Sequence, residues 1–302
     1  MNSDTKMLAY ALLVFTTMCW GANAVFGRVA VGEISPLLLT VLRWAGAVMI
    51  MGLVGYRLIR RDFPTLWKHR RYVFVMGAGG FAIFNALMYV AAHTTTAVNI
   101  GIIQGAMPAM VLLGVFLAYR TRIRLLQIVG VIVTLIGVVI VASGGSIDQL
   151  LQLAFKKGDV FMLIASLFYA SYAVALRNKP PVAGQSLFFA MALCAFIVAT
   201  PMAAYEMVQS NFTWPTTKGW TVALAITIFP SVLAQLCFIR GVGLIGPGRA
   251  GVFVNLIPIF ASLFAIAFLN ESFHLYHALA LALVLTGIGL SEYAGRSDQV
   301  DV

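Results

Sequence analysis

Ten runs of this chain are apolar almost throughout, and nothing else in the sequence limits its fold so narrowly. They lie near residues 8–27, 37–59, 72–92, 97–119 and 125–143, then near 158–178, 184–207, 219–241, 247–269 and 275–293. At about 1.5 Å of helix per residue, each is long enough to cross a hydrocarbon layer roughly 30 Å thick. Lipid offers backbone N–H and C=O groups no water, so each run must satisfy them within itself, as a helix. The expected fold class is an all-α integral membrane protein with ten transmembrane helices.

Composition agrees: 61% of the residues are hydrophobic and 10% charged, where a soluble domain carries about 25% charged residues. The net charge of +10 does not point to nucleic acid. Its Lys and Arg sit in short runs between apolar stretches, as suits loops against an anionic leaflet. Arg57, Arg60, Arg61, Lys68, Arg70 and Arg71 separate spans 2 and 3, and Arg120, Arg122 and Arg124 separate spans 4 and 5. Arg177 and Lys179 follow span 6, and Arg240 and Arg249 flank the next such connection, whereas the alternate loops hold only Arg28, Lys156, Lys157 and Lys218. Positive charge stays on the cytoplasmic side, so both termini are expected in the cytoplasm of a bacterial-type inner membrane. Cys19, Cys194 and Cys237 all lie in apolar runs without CxxC spacing, so neither a disulfide framework nor a zinc site is implied. Lys6 and the Ala22-Asn23-Ala24 triplet have the form of a signal peptide with its cleavage site. That segment has a counterpart in the second half, so it reads as a retained span.

The halves match at nearly one offset. Pro108 and Pro258, Gly101 and Gly251, and Gly137 and Gly287 each stand 150 positions apart. Trp20 and Arg28 parallel Tyr169 and Arg177, and Asn85 lines up with Gln235. This predicts a duplication, residues 1–150 and 151–302. With five spans in each, the second repeat must enter the membrane from the opposite side, and such inverted repeats enclose solute sites near the midplane.

All ten carboxylates (Asp4, Glu33, Asp62, Asp148, Asp159, Glu206, Glu271, Glu292, Asp298 and Asp301) fall in loops, tails or span ends. None sits at the bilayer centre, where proton- or sodium-coupled carriers often place one, so facilitated diffusion or exchange is expected. His274 and His277 begin a span with only Glu271 nearby, so neither metal nor cofactor is expected. Gly241-Val-Gly243-Leu-Ile-Gly246 matches a dinucleotide fingerprint but follows an apolar helix, not a strand; it reads as a tight loop between spans 8 and 9. Without clustered nucleophiles, acids or ligands, an enzyme is not expected.

Polar residues inside spans need a partner, water or a solute. Asn23, Asn85, Gln104, Gln235 and Asn255 lie well within spans, Asn99 nearer an end, and span 6 adds Tyr169, Ser171 and Tyr172. They occupy repeat-paired spans, so they are expected to converge on one central cavity and bind substrate. Phe81, Phe84, Tyr89, Tyr169 and Tyr172 would supply an apolar wall for a ring-bearing solute. Pro108 and Pro258 interrupt backbone bonding within spans and, with Gly101 and Gly251, are expected as hinges. Arg28, at the outer end of span 1, is expected as a gate or a carboxylate-binding group. Arg43, inside span 2, is expected to snorkel to the outer interface. Asn211-Phe-Thr213 has sequon form on an outer loop.

Trp20-Gly21 with Arg28, Pro36 with Arg43, the segment Ala97 to Pro108, its match Gly248 to Pro258, and Glu271 together resemble the EamA-type branch of the drug/metabolite transporter superfamily. The resemblance covers nearly the whole chain, and the pattern looks like that of YddG-type aromatic amino-acid exporters. It implies two inverted five-helix repeats around a central cavity, in a carrier that exports aromatic amino acids and compounds such as paraquat. The carrier is expected to work as a monomer in the bilayer, with a small molecule as its partner and no nucleic acid. Tyr169-Ala170 stands where the first half has Trp20-Gly21, a departure from strict two-fold symmetry. Other substrates in the same fold stay open, as does a scaffold role. Nucleotide sugars would recruit midspan Arg or Lys, and methyl viologen-like cations would favour a buried carboxylate or aromatic cage.

Overall fold

Helix is the only regular structure among the described residues of the computed structural model, which are 3–120, 124–148, 156–209, 212–245 and 253–296. In chain order the helices are α1 (Ser3–Val29), α2 (Pro36–Val54), α3 (Tyr56–Lys68), α4 (Arg70–Ala91), α5 (Ala97–Gly105) and α6 (Met107–Tyr119). There follow α7 (Leu125–Ala142), α8 (Lys157–Ala175), α9 (Gly184–Met207), α10 (Thr217–Ile245), α11 (Ile257–Leu269) and α12 (Leu275–Arg296). Among the described residues, seven helical stretches are long and apolar enough to cross a membrane, one of them α5 and α6 taken together; Leu125–Val141, Ile257–Leu269 and Leu275–Leu290 are shorter apolar helices.

Two boundaries differ from expectation. Span 2 ends at Val54, and the stretch after Gly55, expected as a loop, forms α3. This helix buries Asp62 and Leu66 and exposes Tyr56, Phe63 and Trp67, the pattern of an aromatic-bearing helix lying at an interface. Gly241 and Gly243, expected in a tight loop, belong to the end of α10. A glycine in an apolar stretch keeps its helical bonds where no water competes for them. Gly246, Gly251, Arg122, Arg249 and Asn211 lie outside the described residues.

The backbone repeats its irregularities. A seven-residue π-helical segment, Gly77–Ile83, interrupts α4, and another, Thr227–Leu233, interrupts α10. A near-bridge residue precedes α6 (Ala106, φ −80°, ψ −9°), and its counterpart Leu256 (φ −79°, ψ −14°) precedes α11. Arg120 ends α6 in the left-handed region (φ 51°), as Asn270 ends α11 (φ 50°). Each pair is separated by 150 positions, the offset seen in the sequence.

Helices α2 and α9 run antiparallel, and a carboxylate caps the start of each. The Leu37 and Leu38 N–H groups at the start of α2 donate to Glu206 near the end of α9, both at 3.0 Å. From within α3, Asp62 accepts from Ala183 N–H at the start of α9, at 2.9 Å. Carboxylates satisfy helix N-terminal donors and complement the positive end of the helix dipole. Small residues bring the helices together, as is general where lipid supplies no hydrophobic drive for association. A Cβ on Gly101 would stand 2.3 Å from the Ala261 Cβ, so α5 meets α11 at van der Waals limit. Gly137 and Gly287 let α7 and α12 approach in the same way, through Ala280 and Gly130 respectively. One core lies among α1, α4, α5, α8 and α11, and a second among α2, α4 and α9.

Gly101→Val should lower the thermal midpoint of the detergent-purified protein by the equivalent of about 1–3 kcal/mol, the usual penalty of overpacking. Gly243→Ala, with open space around the new methyl group, should leave it unchanged. Asp62 is held down to about 2 from 3.8, first by its bond with Arg61 and then by Ala183 N–H. Its folded-state pKa is depressed, so its contribution is full above about pH 4 and fades as pH falls through about 2. Asp62→Asn should therefore destabilise the protein at neutral pH, with the gap to wild type closing toward pH 2 in thermal scans.

Candidate functional site

The polar centre of the bundle is built on Arg43. This residue is only 5% exposed, and its side chain turns inward rather than snorkelling as expected. Its Nη1 donates to Asn85 Oδ1 at 2.7 Å, to Tyr89 Oη at 2.6 Å and, more weakly, to Asn23 Oδ1 at 3.3 Å. Lipid would offer none of these acceptors. The Tyr89 hydroxyl donates onward to Asn23 Oδ1 at 3.1 Å. Asn85 Nδ2 donates to the Phe81 carbonyl of its own helix at 2.7 Å, which leaves the amide oxygen facing the guanidinium. Three helices, α1, α2 and α4, thus share one cation among neutral acceptors.

A guanidinium has five donors. The Arg43 Nε is buried and has no partner among the described residues. The ion pairs described there (Arg28 with Glu271, Arg61 with Asp62, Lys218 with Glu33) leave Arg43 without a carboxylate. Nearby amide donors are also poorly served. Asn23 Nδ2 and Gln104 Nε2 both rest on the Met88 sulfur, at 3.6 and 3.3 Å, and a thioether is a weak acceptor.

An aromatic run begins at the next residue. The Arg43 guanidinium lies 5.0 Å from the Trp44 ring centroid. Trp44 stacks on Phe81 with centroids 4.7 Å apart and an 8° interplanar angle. Phe81 meets Phe188 and Tyr172, Tyr172 meets Tyr169, and Tyr169 meets Phe84, all with centroids 5.1–5.8 Å apart. Gly80 lies so close to the Tyr172 ring that a Cβ there would approach it to 2.4 Å. The π-helical segment of α4 holds Gly80 and Phe81, which places this irregular turn against the run.

Of the sequence-predicted site residues, Asn23 and Tyr89 bond directly, Asn85 joins them through Arg43, Gln104 joins through Met88, and Phe81, Tyr169 and Tyr172 belong to the aromatic run. Gln235 is half-buried and stands outside this hydrogen-bonded cluster; Asn255 lies in the turn before α11. Ser171, expected to face the cavity, is exposed and bonds back to the Leu167 carbonyl of its own helix at 2.8 Å. Pro108 and Pro258 do not kink continuous helices but open new ones, each as the second residue, where a missing N–H costs nothing. Arg28 donates to the Ala92 carbonyl at 2.6 Å and stands 3.9 Å from Glu271, which itself caps α5 through Ala97 and Val98 N–H. Next to it, burial and then the Arg28 charge hold the His93 imidazole below its ordinary pKa. At the same end, Asp159 accepts from Thr95 and Asn99.

Arg43 and Trp44 are the site residues that the sequence reading missed. A signal for them exists. Asn23 lies six residues from the end of α1, Arg43 seven from the start of α2, and Asn85 six from the end of α4. In adjacent antiparallel helices those positions share one depth, about 10 Å below the same surface.

Apolar helices with paired backbone breaks around a buried polar centre mark a multi-pass membrane protein. The EamA-like transporter family matches residues 7–143 and again 156–293, and the chain belongs to that family. It is similar to the uncharacterised transporter YetK of Bacillus subtilis (24% identical over 287 residues, 94% of this chain and 86% of that one). An uncharacterised transporter of Archaeoglobus fulgidus is 25% identical over 296 residues, covering 96% of this chain and 98% of its own. A solved crystal structure superposes over the full length of both chains with a TM-score of 0.64 at 17% identity, a likeness of fold alone. The chain is thus a membrane transporter for a small molecule, not an enzyme.

Asn85→Leu should lower the thermal midpoint by the equivalent of about 2–3 kcal/mol, because it strips a principal acceptor from a buried cation. Gln235→Ala should leave the midpoint within error of wild type, since no such acceptor is lost.

Proposed function

We propose that this chain exports aromatic amino acids across a bacterial inner membrane by alternating access, as a monomer. In this reading its ten spans form two inverted five-helix repeats with both termini in the cytoplasm. The observation that carries the substrate is the aromatic run that starts beside the polar centre. A zwitterionic amino acid needs donors, acceptors and an apolar wall within one molecule's length, and Asn23, Asn85, Tyr89 and Gln104 adjoin Phe81, Tyr172 and Tyr169. Asn255 and Gln235 line the pathway on the second repeat. The capping of α2 by Glu206 of α9, and of α9 by Asp62 of α3, supports the inverted relation.

The paired breaks at Ala106 and Leu256 supply the motion. Helix α6 can tilt against α5, and α11 against its own preceding turn, with Gly101, Pro108, Gly251 and Pro258 as hinges and Arg28 with Glu271 as a gate at one end. A cationic drug fits less well, because a buried guanidinium repels a second cation in a medium of low dielectric.

Purified protein in liposomes should exchange external labelled Trp, Phe and Tyr for internal unlabelled amino acid in a saturable manner. Asn85→Ala and Gln235→Ala should slow that exchange while leaving expression intact. Exchange no faster than in empty liposomes for all three would overturn the substrate assignment, and wild-type rates in both variants would overturn the choice of residues.

A further inference from the structure

We propose that Arg43 binds the carboxylate of the transported molecule, so that a free carboxylate is an obligatory part of the cargo. The inference rests on the transport reading and names the chemical group which that reading leaves unspecified. Its first support is charge. Arg43 is more than nine-tenths buried, inside an apolar helix, with acceptors that are all neutral. Arginine stays protonated in proteins, and a buried charge is stable only when paired or well solvated by hydrogen bonds. Asn85, Tyr89 and Asn23 solvate one nitrogen of three, while Nε is sealed from solvent without an acceptor among the described residues.

The second support is geometry. A guanidinium offers parallel N–H pairs matched to a carboxylate's two oxygens. Asn85 and Tyr89 both take Nη1, and they are themselves fixed by the Phe81 carbonyl and by Asn23. The fork is therefore held in place before any anion arrives, which spares the entropy of ordering it. The third support is stoichiometry. Arg28 sits at the end of α1 and is paired with Glu271, so Arg43 stands without a second cation among its described partners. One cation suits a monoanion; a phosphate dianion calls for more. The Trp44 ring, beside the guanidinium and stacked on Phe81, puts an apolar surface next to the anion subsite.

The test compares tryptophan, indole-3-propionate, tryptamine and tryptophan amide as competitors of labelled tryptophan counterflow, in chloride-free methanesulfonate buffer. Tryptophan and indole-3-propionate should compete, and the two compounds lacking a carboxylate should be at least tenfold weaker. Arg43→Gln should lower tryptophan exchange at least tenfold and abolish the preference, and Arg43→Lys should restore part of both. Arg43→Gln removes a cation that lacks a counter-charge while keeping an amide donor, so its thermal midpoint should equal or exceed that of wild type; a large fall would assign Arg43 to structure instead. Equal competition by tryptamine in wild type, or wild-type exchange in Arg43→Gln, would overturn the inference while leaving aromatic export intact. If no aromatic compound exchanges, the parent reading fails and the carboxylate claim is decided separately by thermal shift. Leucine and propionate should then raise the wild-type midpoint but not that of Arg43→Gln, and leucine amide and propionamide should raise neither. No shift with any carboxylate, or an equal shift with chloride, would overturn it.

Discussion

Every polar group inside this bundle has to find its partner in the bundle, because lipid supplies none, and that constraint explains where the unusual features fall. Helix starts are the hardest places to satisfy, since the first donors of a helix have no internal acceptor. Here carboxylates reach across to them: Glu206 to α2, Asp62 to α9 and Glu271 to α5. Each of these contacts joins helices far apart in sequence. The same groups that remove an energetic defect therefore also fix which helix lies beside which. It follows that the acidic residues crowd the span ends, where the sequence also puts them.

Arg43 obeys the constraint incompletely. The side chain could have reached an interface seven residues away, yet α1 and α4 present Asn23, Asn85 and Tyr89 at its own depth. Three neutral acceptors on one nitrogen hold the cation inside without cancelling it. A bundle evolved only for stability would replace such a residue with an apolar one of similar volume, a change often neutral or stabilising. Retention of the charge is an argument for use, and use by an anion is the simplest form.

Much of this was legible in the chain. The apolar runs locate the helices because backbone satisfaction in lipid leaves one solution, and the 150-residue offset reappears in the paired π-helical segments and in the left-handed caps Arg120 and Asn270. Helix α3 was not legible, since its arginines read as a loop and only its buried Leu66 and Asp62 reveal an amphipathic face. The inward turn of Arg43 was not legible either. Its partners lie 20, 42 and 46 positions away, and snorkelling is the default for an arginine in a span. Asn23, Asn85 and Tyr89 were each visible as buried polar residues; what joins them is a fourth residue whose direction depends on helix neighbours.

The repeat is faithful in backbone and unfaithful in side chain, and that difference bears on function. Positions 150 residues beyond Met88 and Tyr89 are Phe238 and Ile239, so the second half cannot rebuild the polar centre. It contributes rings instead, through Tyr169, Tyr172 and Phe188. In the proposed reading, matched breaks in the two halves would let each undergo the same rearrangement on opposite faces, which is what alternating access needs from a scaffold. A cargo with one charged end and one aromatic end needs the contrary, a site whose two sides differ. Were the side chains as symmetric as the backbone, such a molecule would bind equally well in two opposed orientations; a guanidinium present in one half alone leaves only one.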